Sequence, residues 1–138
     1  MKRVTGIGGL FFKCQDVEKM KSWYDRHLGI PAEKYGATFE WRLSEDPTRV
    51  AYTAWSTFPQ DTKYFAPSEK PFMFNYRVEN LEKLMELLRE EGVEIVGEMQ
   101  VYDYGKFGWI MDPEGNKIEL WEPIDKVFEE SEGDKAVK

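Results

Sequence analysis

Residues 72–92 read FMFNYRVENLEKLMELLREEG, and residues 8–29 read GGLFFKCQDVEKMKSWYDRHLG. Both open on an alternating apolar run, pass through an acidic turn, continue as an amphipathic stretch and stop at a glycine. Val17-Glu18-Lys19 matches Leu81-Glu82-Lys83, and Gly29 matches Gly92. Further on, Phe39-Glu40-Trp41 matches Phe107-Gly108-Trp109, Asp46-Pro47 matches Asp112-Pro113, and Trp55 matches Trp121. These landmarks keep their order at offsets of 63–68 residues. Ordered matches at a nearly constant spacing point to an internal duplication.

Each unit has a physical reading. Leu10, Phe12 and Cys14 alternate with Gly9, Phe11 and Lys13, which predicts a strand of period two. Asp16 is placed to cap a helix carrying Val17, Met20, Trp23, Tyr24 and His27 at helical spacing. Gly29 ends that helix and Pro31 prevents its resumption. In the second unit Phe74, Tyr76 and Val78 alternate with Met73, Asn75 and Arg77, and Leu81, Leu84, Leu87 and Leu88 make the helix stripe. Shorter β-type runs follow at about 37–43 and 50–57, then at 94–101, 106–111 and 116–121, with a turn at 112–116. The expected fold is α+β: two tandem βαβββ modules whose curved mixed sheets form a cup. Module one covers about residues 4–58 and module two about 70–123, within one domain of residues 1–123. Residues 124–138 are acidic and read as a flexible tail.

Composition narrows the function classes. The chain has 138 residues, 41% of them hydrophobic and 15% aromatic, which excludes a disordered chain. A formal charge of −7 speaks against nucleic acid and against anionic membranes. One cysteine, Cys14, permits no intrachain disulfide, so a reducing cytoplasm is the expected compartment. The N-terminal run MKRVTGIGGLFFKC is broken by three glycines and stopped by Lys13, and no small-residue cleavage site follows. No stretch approaches the roughly 18 apolar residues needed to span a bilayer.

The duplicated modules, the Trp23-Tyr24…Leu28-Gly29 helix end and the run from Asp112-Pro113-Glu114-Gly115-Asn116 through Lys117-Ile118-Glu119-Leu120 resemble the vicinal-oxygen-chelate superfamily. That group includes glyoxalase I, bleomycin-resistance proteins, fosfomycin-resistance enzymes and extradiol dioxygenases. The resemblance covers about residues 4–123 and implies a homodimer with a small-molecule ligand in the cup. In metal-binding members, ligands stand on inward positions of both modules. Carried over here, those positions are Gly9, Met73, Glu119 and, by the Asp-Pro match, Thr53 or its neighbour Ala54. Only Glu119 is a good ligand for a hard divalent ion, and the chain has a single histidine. No cofactor is expected, and a divalent metal is disfavoured.

Alternation also selects the site candidates. The face opposite the helices carries Phe11, Met73, Asn75 and Arg77, with Glu119 and Trp121 on the last strand. Glu119 is the candidate general base or ionic anchor, because a carboxylate in an aromatic cup is partly desolvated. Trp121 and its repeat counterpart Trp55 are candidates for stacking on a flat ligand, ahead of Trp41 and Trp109. Tyr104 and, more weakly, Lys106 lie in a loop that would rim the cup. His27 reads as a helix-end residue and Cys14 as buried and inert. Gly6, Gly8 and Gly9 fit no phosphate loop; either they widen the cup or they mark a bulge. Lys13, Arg77 and Lys117 on this face favour an anionic ligand, whereas the overall charge steers cations. The leading expectation is binding of a small aromatic or hydrophobic molecule without a catalytic metal. The alternative is a small-molecule lyase or isomerase of the glyoxalase type, using Glu119 as base with or without a divalent metal.

Overall fold

A computed structural model describes residues 1–138. Along the chain it has strand β1 (Val4–Cys14), helix α1 (Val17–Leu28), strands β2 (Ala37–Arg42), β3 (Val50–Pro59) and β4 (Phe72–Val78), and helix α2 (Leu81–Glu90). Strands β5 (Gln100–Tyr102), β6 (Gly105–Met111) and β7 (Lys117–Pro123) follow, then helix α3 (Asp125–Glu132). The strands form one mixed, seven-stranded sheet in the order β2-β3-β1-β4-β7-β6-β5. The two modules meet where β1 and β4 run antiparallel at the centre. Each central strand then has a parallel partner from its own module, β3 for β1 and β7 for β4. The α+β duplicated architecture is therefore the one the repeat predicts.

Local chemistry sets the helix ends. The Asp16 side chain accepts from the Lys19 backbone N–H at 3.0 Å, and Asn80 does the same for Lys83 at 3.1 Å. Gly29 closes α1 at φ 68°, a left-handed conformation that other residues adopt at a cost. Helix α2 buries Leu81, Leu84, Met85 and Leu88 against Val78 and Leu120, and this cluster is the main apolar core. Helix α1 buries no residue fully. On the sheet face beside it, Leu10 and Phe74 pair directly across β1 and β4 yet stay 42% and 41% exposed. The convex side of the central strands is thus an open apolar surface.

Module one departs from the expected four strands. It has three, and the segment between Leu28 and Ala37 contributes only an isolated bridge between Glu33 and Gly36. The edge beyond β2 is met instead by the end of the chain. The Val137 N–H donates to the Thr38 carbonyl and the Glu40 N–H to the Val137 carbonyl, both at 2.8 Å.

The loose tail expected after residue 124 is likewise replaced by structure. Asp125 takes two bonds from the Arg77 guanidinium, at 2.9 and 2.6 Å. Phe128 stacks on Tyr52 and packs against Trp121, with ring centres 6.0 and 5.1 Å apart. An acidic composition predicts solvation only when no buried cation waits for one of the acids. Here Arg77 does.

Candidate functional site

The concave face of the sheet encloses a cavity of about 720 Å³. Its wall is aromatic and comes from both modules: Phe11 and Phe58 from module one, Phe107 and Trp121 from module two, Tyr64 from the β3–β4 connection and Phe128 from α3. Phe58 stacks on Tyr64 with centres 5.7 Å apart and planes at 3°, and Phe107 stacks on Trp121 at 5.9 Å and 9°. Tyr104 stacks on Tyr102 at the rim.

Glu119 sits in this wall, 2% exposed. Its position follows from strand register. Glu119 is paired with Asn75 of β4 on one side and with Trp109 of β6 on the other, so all three side chains share a face. Both neighbours turn their N–H groups on it. Asn75 Nδ2 donates to Oε1 at 2.6 Å and Trp109 Nε1 donates to Oε2 at 2.8 Å. The Tyr64 hydroxyl donates to the same Oε2. Lys117, two residues earlier on β7, donates its Nζ to the Tyr64 carbonyl at 2.8 Å and so anchors that loop.

Burial pushes the Glu119 carboxyl above the ordinary value, and the three donors and the Lys117 charge oppose that push. Burial lowers Lys117, with Glu119 pulling the other way. Tyr64 is raised, first by burial and then by the neighbouring carboxylate, so it stays a neutral donor. An indole N–H can only donate. All three neighbours donate, so Glu119 accepts at both oxygens, and one lone-pair direction is left on Oε1.

Several polar atoms in the wall lack partners. Asn75 Oδ1, Thr38 Oγ1 and Trp121 Nε1 are buried without a hydrogen bond. Buried polar atoms are nearly always satisfied, so each calls for water or a ligand. The glycines upstream are both bulge and clearance. The β1–β4 register shifts between Ile7 and Gly9, and a Cβ on Gly8 would lie 2.1 Å from Asn75 Oδ1. The space that Gly8 frees is taken by Asn75.

Of the residues selected from sequence, Glu119, Phe11, Asn75, Trp121 and Tyr104 come together around this cavity. Three do not. Met73 is fully buried away from the cavity lining. Arg77 is sealed by Asp125, donates to the Tyr52 carbonyl at 3.1 Å, and lies between the Trp41 and Trp121 rings. Trp55 is on the opposite face, packed under α1 against Phe12 and Tyr24 at 5.5 and 4.8 Å.

The Trp55 error has a definite cause. Phe11 pairs with Ser56 as Asn75 pairs with Glu119, so the structural counterpart of Glu119 is Ser56, not Thr53 or Ala54. The Asp-Pro alignment is out of step by an odd number of residues, which flips every side chain to the other face. Trp121 then corresponds to Phe58. Thr53 is occupied elsewhere, accepting from Trp41 Nε1 and donating to the Ile7 carbonyl. Sequence reasoning also missed Tyr64, whose contact with Glu119 spans 55 positions and carries no periodic signal. It ranked Trp109 low, although its place opposite Glu119 follows once the β6–β7 hairpin is drawn.

Nowhere do three or more His, Cys, Asp or Glu side chains converge. The positions of module one that correspond to Glu119 and Asn75 carry Ser56 and Phe11, which offer a divalent ion a lone hydroxyl.

Comparison with known proteins agrees with this architecture. Among solved structures, methylmalonyl-CoA epimerase from Mycobacterium tuberculosis is 22% identical, with a TM-score of 0.61 over 92% of this chain and 93% of that one. A Streptomyces coelicolor methylmalonyl-CoA epimerase variant in complex with 2-nitronate-propionyl-CoA has a TM-score of 0.64 at 13% identity, covering 87% of this chain and 98% of the other. The Mn(II)-bound glyoxalase from Novosphingobium aromaticivorans has a TM-score of 0.60 at 12% identity over 88% of this chain and 40% of that one. At these identities the likeness is one of fold. No curated protein matches the chain. Residues 6–120 match the family model of the Glyoxalase/Bleomycin resistance protein/Dioxygenase superfamily. With two modules joined at β1 and β4 and a shared concave site, the chain belongs to that superfamily.

Proposed function

We propose that this protein binds a small aromatic or hydrophobic molecule in the concave cavity, with no catalytic metal. The observation that carries the reading is the convergence of aromatic rings from both modules and α3 on one cavity whose wall holds three unpartnered polar atoms. Apolar walls with a few placed polar groups are the usual make-up of small-molecule sites. The chemistry of the donor set argues against a divalent ion. Glu119 is the one carboxylate on the sheet floor of the cavity, and three donors already hold it. Among the fold neighbours are an epimerase and a Mn(II)-bound glyoxalase. That supports a second reading, an isomerase or lyase with Glu119 as base. A burial-raised carboxyl with a free lone-pair direction favours it, and the three donors, which lower basicity, weigh against it.

The same reading includes a cytoplasmic homodimer joined through the open convex face, where Leu10 and Phe74 lie exposed beside α1. The test is a fragment screen by thermal shift, repeated on Trp121→Ala and Phe58→Ala. Hits that stabilise the parent and lose at least tenfold in affinity in both variants support the proposal. Hits that bind both variants equally well refute it.

A further inference from the structure

We infer that the occupant of the cavity is an aromatic cation, with an amidinium or protonated-amine head turned to Glu119 and Asn75. This deepens the small-molecule reading and rests on it. The first support is the character of the buried polar groups. Asn75 must turn Nδ2 to Glu119, since a carboxylate only accepts, and that fixes Oδ1 on the Gly8 side without a donor. Glu119 Oε1 keeps one acceptor direction. The charged centre of the wall therefore offers acceptors.

The second support is the fate of the basic residues on this face, which by sequence would have favoured an anion. Arg77 is neutralised by Asp125, Lys117 donates to the Tyr64 carbonyl and keeps its charge on the Glu119 side of the wall without entering the cavity, and Lys13 stands 5.6 Å from the Phe65 ring centre. None of the three lines the cavity. At the rim, Lys135 is paired with Glu33 at 3.2 Å and Lys34 lies over Tyr35. An anion would meet a buried carboxylate on the floor of the cavity, with Lys34 and the Glu33-paired Lys135 only at its rim. A cation would meet that carboxylate, an unpartnered carbonyl and the electron-rich faces of aromatic rings. The unpartnered Thr38 hydroxyl is neutral and suits a hydroxyl or ether on the ligand's body.

The test uses three probes of one shape and different charge: naphthamidine, naphthamide and naphthoate, titrated by calorimetry into the full chain at fixed ionic strength. The expected order is naphthamidine at least tenfold tighter than naphthamide, with naphthoate weakest. Glu119→Gln should bring the naphthamidine-to-naphthamide affinity ratio to about one. The ratio in the unaltered protein decides the matter even where that variant does not fold. Naphthoate binding as tightly as naphthamidine overturns the inference. If that naphthoate binding is also lost in Phe58→Ala, the small-molecule reading survives the loss. Binding by none of the three up to their solubility overturns both.

Discussion

Asp125→Ala should unseat α3 and expose how the concave face handles its one buried guanidinium. Arg77 is 4% exposed, and Asp125 satisfies two of its N–H groups while being about a fifth exposed itself. Removing one partner of a buried pair costs about 3–5 kcal/mol, because the remaining charge is left uncompensated. Partial solvent access to Asp125 and the retained bond to the Tyr52 carbonyl bring the expectation to about 2–3 kcal/mol. At about 3 °C per kcal/mol for a chain of this size, Tm should fall by about 6–9 °C. Chemical denaturation followed by circular dichroism gives the free energy, and limited proteolysis should cut first within residues 125–138. A cycle with Arg77→Met separates the pair from simple loss of packing. The double variant should be more stable than the sum of the two losses predicts, by at least about 1 kcal/mol. An Asp125→Ala variant within about 0.5 kcal/mol of the parent, or a strictly additive cycle, would refute the reasoning. It would also return Arg77 to the pool of free cations on the concave face.

Glu119 makes a pH prediction with a definite sign. Its folded value lies above 4.5, the unfolded reference, so the folded state holds the proton more tightly. Stability from this group is greatest below about 4.5 and declines as pH rises to the folded value. Glu119→Gln should lack that decline in paired denaturation curves. Gly8→Ala should destabilise by about 1–3 kcal/mol, because its Cβ drives Asn75 off the carboxylate, and equal denaturation midpoints would contradict this. Titration of Mn²⁺, Ni²⁺ or Zn²⁺ into untagged protein should give no stoichiometric heat; one ion bound per chain would revive metal-assisted chemistry. Leu10→Lys with Phe74→Lys should give a monomer by light scattering if the convex face joins two copies.

The parts legible in the sequence are those written in local periodicity. The alternation in β1 and β4, the Asp16 cap, the Leu81–Leu88 stripe and the cup-facing parity of Glu119 and Trp121 each depend on residues a few positions apart. They were enough for the duplicated fold and for the central carboxylate. What stayed hidden depends on contacts across the chain. Tyr64 reaches Glu119 from an irregular loop, and Asp125 reaches Arg77 over 48 positions. Trp55 failed for a different reason: a gapless repeat alignment cannot see an odd slip, and on a strand an odd slip reverses the face. The charge of the ligand stayed open in the sequence for the same reason, since parity places Arg77, Lys117 and Lys13 on one face but does not show Asp125, the Tyr64 carbonyl or the Phe65 ring beside them.

The most direct test of the aromatic cavity is a ¹H–¹⁵N spectrum of the five indole N–H groups, recorded with and without aromatic fragments. Trp109 and Trp121 report on the cavity wall, while Trp55 and the half-exposed Trp23 report on the opposite face. Binding in the cavity predicts saturable shifts of the Trp109 and Trp121 signals with Trp23 and Trp55 unmoved. Fragments that shift Trp23 or Trp55 alone, or leave all five signals in place, would contradict the account.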